Sequence, residues 1–243
     1  MGLRLEVCVD RLDGLESAVA GGADRIELCA ALALGGLTPS AGVMRAAAGC
    51  GVPVLAMIRP RAGNFVWSEA EVVAMEGEIA AARAAGLAGV VLGASRPDGR
   101  LDGRVLARLV RAAEGMDLTL HRCFDLVPDL DEALEQAVAL GFRRVLTSGG
   151  ARVADPARIG ALVARAAGRI VVMAGSGVTA ETAPALLAQG VRELHGSCSD
   201  GRVVAGKVSE MGFGPEVERR TSAERVRALK QVMEAVGGVQ RHI

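Results

Sequence analysis

Residues 21–40 read GGADRIELCAALALGGLTPS and contain the end of one helix, a strand and the start of the next helix. The first pair of glycines predicts the helix end, because glycine adopts a positive φ at little cost. The segment RIELC then predicts a short strand in which Glu27 and Cys29 share one face, since strand side chains alternate. After the second pair of glycines, Thr38 is expected to cap a helix whose first residue is Pro39. The stretch is one βα unit with polar side chains towards the C-terminal end of its strand.

This order of helix end, glycine and strand recurs along the chain. In each copy, an Ala- or Leu-rich helical stretch precedes a glycine and an apolar strand follows four residues later. The glycines are Gly22, Gly86, Gly141 and Gly190. Further apolar runs lie between the copies, at 3–9, 54–59, 118–123 and 169–175. Eight strands, each followed by a helical pattern over about 250 residues, predict an α/β fold, a single (β/α)8 TIM barrel with eight parallel strands. We expect it to span residues 1–243 as one domain.

A doubly wound open sheet is the competing interpretation. That fold normally begins with a glycine-rich phosphate turn, whereas the first strand here runs into CVDR with no GxGxxG. We therefore expect no nucleotide cofactor. The amphipathic pattern places helices at 12–20, 39–48, 69–85, 103–113, 131–140, 156–166, 180–188 and 222–236. Residues 199–220 form a long loop without clear periodicity before the last helix, which indicates a lid, an interface element or a mobile segment.

The composition excludes several classes of protein. Lys+Arg and Asp+Glu are both 28, and the aromatic residues are four Phe and one Trp. A neutral chain poor in aromatic residues lacks the basic face and the stacking platforms of a nucleic-acid-binding protein. No apolar run reaches the ~18 residues of a membrane helix, and the acidic N-terminus does not resemble a signal peptide. Five cysteines without framework spacing indicate free thiols in a reducing cytoplasm.

Polar side chains accumulate at the predicted C-terminal ends of seven strands, where a TIM barrel binds its ligands. Charged residues avoid apolar strands unless they are paired or functional, so this accumulation predicts a polar pocket at the mouth of the barrel. Glu6, Glu27, His121 and His195 are candidates for acid–base catalysis there. The alternative is that these side chains are hydrogen-bonded residues that fill a polar top layer.

Glycine-rich turns after the sixth and seventh strands predict an anion site at the same end. Their backbone N–H groups favour phosphate, and arginines after the third strand could bind a phosphate or carboxylate in a bidentate way. The candidate ligand-binding residues are Arg59, Arg61, Arg122, Asp125, Ser148, Gly149, Gly175, Gly177 and Ser197. This set indicates a small anionic or phosphorylated metabolite, although TIM barrels also use such glycines simply for tight turns.

Two cysteines on neighbouring strands suggest a metal site. Cys8 and Cys29 each lie two residues beyond a glutamate of the same face, and neighbouring strands are ~4.8 Å apart. Soft thiolates in a reducing compartment select Cu(I). The alternative is that both are small buried apolar residues, as free cysteines often are. A closed structural zinc site is not expected, because the chain has no CxxC and no His cluster with zinc spacing.

Taken in order, the motifs resemble those of the CutC family of copper homeostasis proteins. They are EVC at 6–8, GADRIELC at 22–29, GGLTPS at 35–40, RPR at 59–61, HRCFD at 121–125, RVLTSG at 144–149, MAGSGV at 173–178 and ELH at 193–195. The resemblance covers roughly residues 5–200. It implies a (β/α)8 barrel, a cytoplasmic location, a homodimer or higher homo-oligomer and an association with copper handling. It also implies the Cu(I) role of Cys8 and Cys29.

The chain departs from the family pattern at a few positions. The family's RPRGGDF is RPRAGNF here, so Asn64 replaces a carboxylate, and its HRAFD is HRCFD, which adds the Cys123 thiol. Cys198 is a further added thiol. Two functions follow from the sequence: a protein that binds Cu(I) through thiolates at the barrel mouth, or an enzyme for a small anionic metabolite with His and Glu as acid–base groups. A scaffold without chemistry would leave the charged pocket unexplained.

Overall fold

The computed structural model describes residues 2–204 and 206–239, and its parallel strands close into a barrel. In this part of the chain eight strands form the barrel in sequence order, and the last is hydrogen-bonded to the first. They are β1 Arg4–Val9, β2 Arg25–Leu28, β3 Val54–Met57, β4 Gly89–Leu92, β5 Asp117–Leu120, β6 Arg144–Thr147, β7 Val171–Ala174 and β8 Glu193–Gly196. The closure confirms the TIM barrel and excludes the doubly wound open sheet.

Helices alternate with these strands and agree with the predicted ones to within a few residues, except for a short helix at 207–210 in the segment predicted as a loop. They are α1 Leu12–Ala20, α2 Ala41–Ala47, α3 Glu69–Ala84, α4 Gly103–Ala112, α5 Leu130–Ala139, α6 Pro156–Ala166, α7 Ala183–Ala188, α8 Lys207–Glu210 and α9 Ala223–Val239. The cap predicted for α2 is wrong. Ser40 is the N-cap and its hydroxyl accepts a hydrogen bond from the amide of Val43. The hydroxyl of Thr38 instead donates to Glu78 and accepts from the amide of Arg59, so it fastens α3 and the end of β3 to the loop after β2.

The repeated glycines all have positive φ, at 93°, 77°, 82° and 83° along the chain. Residues with a side chain rarely adopt a positive φ, which glycine reaches at little cost. Each glycine lets the chain turn from a helix into the next strand, and β2, β4, β6 and β8 begin three residues after their glycine. The repeat read from the sequence is therefore the helix-to-strand turn of alternate βα units.

The segment expected as a long loop contains regular structure. Ser199–Val203 (β9) and Val217–Thr221 (β10) form a two-stranded antiparallel sheet, and α8 lies between them in sequence. The segment exposes several large apolar side chains, among them Val203, Met211 and Phe213. No helix among the described residues has the length and apolar character needed to cross a membrane.

The main apolar core lies between the barrel and its helices, while charged side chains occupy the barrel interior. Alternate residues of β1, such as Leu5 and Val7, pack in the main core. A separate, smaller apolar cluster contains Cys29, Leu55, Met57 and Val91. Arg25 of β2 bonds to Glu193 of β8, on the far side of β1. A TIM-barrel interior is usually filled by bulky branched residues, so buried charge is the distinguishing feature of this one.

Candidate functional site

Strand register sets the levels at which the polar side chains of β1, β2 and β8 meet. β1 lies between the other two strands, and its residue Glu6 pairs with Arg25 on one side and with His195 on the other. One step further along β1, Cys8 pairs with Glu27. Because alternate residues share a face, these side chains gather inside the barrel.

Cys8, Glu27 and His195 form a cluster with the spacing of a metal site. One ligand atom from each lies within 4.8 Å of the others, and all three residues are buried. The Nε2 atom of His195 is 3.7 Å from Oε2 of Glu27. Among the described residues, this is the group of His, Cys, Asp and Glu side chains close enough to hold one ion.

Glu6 fixes the orientation of His195. The Nδ1 atom of the imidazole lies 2.8 Å from Oε1 of Glu6, which leaves Nε2 towards Glu27 and Cys8. Burial by itself raises the pKa of Glu6, but the charges of Arg25 and His195 lower it to about 2. Burial likewise lowers the pKa of His195, but Cys8, Glu27 and Glu6 together raise it well above the ordinary value. Glu6 is therefore an ionised acceptor for the Nδ1 proton.

Glu6, which orients His195, also belongs to a buried network of ion pairs. Arg25 bonds to Glu6 and, at 2.5 Å, to Glu193. Arg144 bonds to the same Glu193 at 3.2 Å and to Asp117 at 2.9 Å. Neither arginine was identified from the sequence, because the C-terminal ends of the strands were considered, whereas Arg25 and Arg144 begin β2 and β6. Each one follows a repeat glycine by three residues, in GADR and GFRR, and that shared position is the pattern that could have identified them.

Cys29 directly follows β2 and lies two residues beyond Glu27 in the sequence. Its thiol donates to Oε2 of Glu27 at 3.6 Å. Burial, followed by the charge of Glu27, raises the pKa of Cys29 well above its ordinary value, so its sulfur holds its proton more firmly. Register pairs Cys8 with Glu27 rather than with Cys29, and the three-residue cluster does not contain Cys29. A shared metal on Cys8 and Cys29 remains a prediction.

The glycine-rich turn after β6 surrounds a carboxylate of the chain itself. Asp125 accepts hydrogen bonds from the amides of Ser148 and Gly150, each at 3.1 Å, and from the hydroxyl of Thr147 at 2.5 Å. Arg122 bonds to Asp125 at 2.7 Å and to the hydroxyl of Ser148 at 2.9 Å. The amide of the predicted residue Gly149 donates to Thr147 within the same turn. The donors of this turn therefore bond to a carboxylate of the chain itself, and binding of an external anion there remains a prediction.

The two arginines after β3 hold loops in place. The Nη atoms of Arg59 donate to the carbonyl oxygens of Leu34, Gly36 and Gly63, at 2.9, 3.1 and 3.0 Å. Arg61 forms an ion pair with Glu71 at 2.5 Å, and its guanidinium lies over the ring of Trp67 at 4.8 Å. The structure therefore does not bring these two residues to the turn that contains Ser148.

The remaining predicted ligand-binding residues shape the loops after β7 and β8. A Cβ on Gly175 would lie 2.5 Å from Cδ1 of Leu146 and 3.5 Å from Cδ2 of His195, so it would clash with Leu146 and meet the imidazole at ordinary contact distance. Gly177 has a φ of 73°. The hydroxyl of Ser197 lies 2.9 Å from that of Ser199. Of these residues, Gly175 is the one that lies next to the His195 side chain.

His121 is in a different environment from His195. It is buried, its Nδ1 accepts from the amide of Cys123 at 3.1 Å, and its ring packs against Phe65. Burial, reinforced by the charge of Arg59, lowers the pKa of His121 to about 3. The added thiols are also buried: burial raises the pKa of Cys123 and raises that of Cys198 to about 11. His121 is therefore neutral, and neither added thiol belongs to the metal-spaced cluster.

Comparison with known proteins agrees with the motifs and the barrel. The sequence profile of the CutC family matches residues 3–200. A family protein CutC of Sinorhizobium medicae is 58% identical over 236 residues, which are 96% of both chains. One from Caulobacter vibrioides is 52% identical over 93% of this chain and 96% of its own.

Solved structures give the same result. A CutC protein of Streptococcus agalactiae, described as a candidate copper homeostasis protein, is 36% identical with a TM-score of 0.77, over 80% of this chain and 98% of its own. Thiamine phosphate pyrophosphorylase from Pyrococcus furiosus, at 16% identity, 96% coverage of both chains and a TM-score of 0.60, shares the fold alone. With more than half of its length matched by the profile and close relatives over nearly all of it, the chain belongs to the CutC family.

Proposed function

We propose that this protein binds Cu(I) inside the barrel as part of copper homeostasis, with Cys8 and the Nε2 atom of His195 as the first ligands. The observation that carries the proposal is the buried cluster of Cys8, Glu27 and His195, with ligand atoms within 4.8 Å of one another. The description of the Streptococcus agalactiae relative as a candidate copper homeostasis protein supports the same assignment.

The donor set fits copper. Thiolate is a soft ligand that selects Cu(I), and imidazole is a common copper ligand. A histidine that binds a metal almost always donates its other N–H to a carboxylate or carbonyl, and Glu6 accepts from Nδ1 of His195 in this way. Glu27 offers a hard carboxylate oxygen, which suits Cu(I) poorly. Glu27 instead takes up a proton that a ligand releases when the metal binds.

Cys29 supplies a second thiol for the same ion. Its hydrogen bond to Glu27 places it next to the cluster, although its raised pKa disfavours the thiolate. A Cu(I) ion at Cys8 would lower that pKa by its own charge. The proposed ligands of the ion are therefore the thiolates of Cys8 and Cys29, the pair predicted from the sequence, together with Nε2 of His195.

The test is a titration of the reduced protein with Cu(I) in competition with a Cu(I)-specific chelator. We expect one ion per chain, loss of binding in Cys8→Ser, and weaker binding in His195→Gln and Cys29→Ser. Cys50→Ser is the matched control, because Cys50 is half-buried in the loop before β3 and outside the cluster. Unchanged affinity in Cys8→Ser would refute the proposal.

A parallel titration with Zn²⁺ separates the two metals that accept these residues, since zinc also binds Cys, His and Glu. If the protein binds Zn²⁺ and Cu(I) does not displace it under reducing conditions, the metal of this site is zinc and not copper. Because Cu(I) favours the thiolates and Zn²⁺ also accepts the carboxylate, Glu27→Gln should affect Zn²⁺ binding more than Cu(I) binding.

The second candidate function is an enzyme for a small anionic metabolite. The same arrangement favours it, because a thiol, an imidazole and an orienting carboxylate in series are the parts of an activated nucleophile. Cys8 would be the nucleophile, His195 the base and Glu6 the orienting group. Alkylation of the metal-free protein by iodoacetamide tests it: rapid modification of Cys8 that slows strongly in Glu6→Gln supports the enzyme, whereas an inert Cys8 contradicts it.

Location and assembly are proposed on the family resemblance. We infer a cytoplasmic protein that forms a homodimer or a higher homo-oligomer. The apolar side chains exposed around β9 and β10 support assembly, because large exposed apolar patches mark interaction sites. Light scattering of the purified protein measures the mass of the oligomer directly.

A further inference from the structure

Arg59 is a buried cation for which the described part of the chain provides no carboxylate partner. The residue is 6% exposed. The hydrogen bonds of its guanidinium all go to uncharged backbone carbonyls, and its Nε atom has no hydrogen-bond partner among the described residues. Burial of an unpaired charge and an unpaired donor is costly. The site is therefore electrostatically incomplete without an anion.

His121 offers a second unused donor. Its Nδ1 atom accepts a hydrogen bond from the amide of Cys123, so the proton of the neutral ring is assigned to Nε2. That Nε2 atom is buried and, within the residues that the structure describes, has no partner. A neutral imidazole with its N–H aimed into the interior requires an acceptor of hydrogen bonds.

Phe65 contacts both groups and also lines an open cavity. Its ring centroid lies 5.0 Å from Cζ of Arg59 and 4.7 Å from the ring centroid of His121. This cavity has a volume of about 400 Å³ and lies among the loops that follow β3, β4 and β5. Ser95 lines the same cavity, and its hydroxyl also lacks a partner in the described part of the chain.

We propose that Arg59 and His121 form a binding site for a small carboxylate anion, which enters from this cavity when the side chain of Phe65 moves. A carboxylate carries one negative charge and matches one guanidinium, and its oxygens accept from both Nε of Arg59 and Nε2 of His121. A phosphate dianion would leave one charge uncompensated in a buried site. Neither of these two residues belongs to the Cys8 cluster, so the site uses none of the proposed copper ligands.

The experiment uses the metal-free protein labelled with ¹⁵N-histidine. Sodium acetate and sodium lactate are titrated against the His121 resonances, with sodium chloride and inorganic phosphate as references at equal ionic strength. We expect a saturable shift of the His121 Nε2–H signal with the carboxylates. Arg59→Gln should weaken binding by about tenfold or more, the loss of one hydrogen bond to a charged group. Phe65→Ala should speed both association and dissociation.

Arg108→Gln is the control, since Arg108 lies on α4, outside this site, and is paired with Glu76 at 2.7 Å, and it should bind the carboxylates as wild type does. Crystals of the wild-type protein soaked in acetate provide a second test, which remains valid even if a variant does not fold. A carboxylate on Nε of Arg59 and Nε2 of His121 supports the site. Water alone at both atoms, or an equal response to phosphate, overturns the proposal.

Discussion

Asp125 accepts hydrogen bonds from the backbone amide and the hydroxyl of Ser148, at 3.1 and 3.0 Å. Glycine-rich turns with several free amides form anion-binding concavities. In this protein the anion is a side chain of the neighbouring βα unit, because Asp125 follows β5 while the turn follows β6. The contact joins two successive loops at the C-terminal face of the barrel and fills the turn that the sequence presents as a phosphate cradle.

Replacement of Asp125 by alanine should destabilise the protein and open this turn to an external anion. The change leaves the amides of Ser148 and Gly150, the hydroxyl of Thr147 and the guanidinium of Arg122 without their shared acceptor. We expect a loss of about 2–4 kcal/mol in the free energy of unfolding, the range for breaking a buried charged network. Thermal unfolding with and without inorganic phosphate measures the loss and its recovery.

Asp155→Ala is the control for this prediction. Asp155 caps α6 through its bonds to the amides of Ala157 and Arg158, so its loss should cost about 1 kcal/mol without a specific response to phosphate. Equal stabilisation of both variants by phosphate would show that the turn after β6 has no particular affinity for an anion.

Replacement of Arg25 by methionine should be more harmful than the loss of its two ion pairs suggests. Glu6 and Glu193 would remain buried without their shared counter-ion, and breaking a buried pair on one side costs about 3–5 kcal/mol. The pKa of Glu6 would rise, and its hold on the Nδ1 proton of His195 would weaken. Denaturant unfolding and the NMR signals of His195 measure these two effects.

The double variant Arg25→Met with Glu6→Gln separates charge from packing. Because the neutral glutamine needs no counter-ion, the double variant should be more stable than Arg25→Met alone, with a favourable coupling of about 1–3 kcal/mol in the cycle. Simple additivity of the two changes would mean that Arg25 acts through its packing, including its contact with Met173 at 3.2 Å.

The barrel was predictable because its evidence is local. The turn glycines, the short apolar runs between them and the amphipathic helices each follow from backbone preference and side-chain period. The cap of α2 was misplaced because Thr38 and Ser40 can both act as N-cap residues. Thr38 is drawn into bonds with Glu78 and Arg59, which lie far along the chain.

The candidate site was predicted only in part, since its geometry depends on the register between strands. The pattern places Cys8 and Cys29 on corresponding faces, and nothing in one sequence states that β1 pairs Cys8 with Glu27. The same register brings His195 to Glu6 from the other side. Arg59 was expected at an open mouth, where it could reach the turn at Ser148. Its guanidinium instead donates hydrogen bonds to carbonyl oxygens of the loops after β2 and β3.

The environment of His121 predicts a specific loss of stability in mild acid. Burial and the charge of Arg59 lower the pKa of His121 to about 3 in the folded protein, against an ordinary value of 6.5. Between these values the unfolded chain binds a proton that the folded chain does not, so stability falls as pH decreases from 6.5. The slope should approach ~1.4 kcal/mol for each pH unit, the linkage of one proton.

The effect of His121 falls in the window between about pH 6.5 and 4.5, where other groups also titrate. In the folded protein His195, whose pKa is raised, stays protonated and Glu6, whose pKa is lowered to about 2, stays ionised, whereas in the unfolded chain both titrate at the edges of this range. Glu27 has a raised pKa because of burial and acts in the opposite direction, so the measured quantity is the difference between wild type and His121→Gln. Urea unfolding across the window should show that the variant lacks the steep dependence, whereas Phe65→Leu, which keeps the imidazole, retains it. If His121→Gln and wild type lose stability in parallel, the imidazole is protonated in the folded state, and the neutral Nε2–H donor of the carboxylate site does not exist.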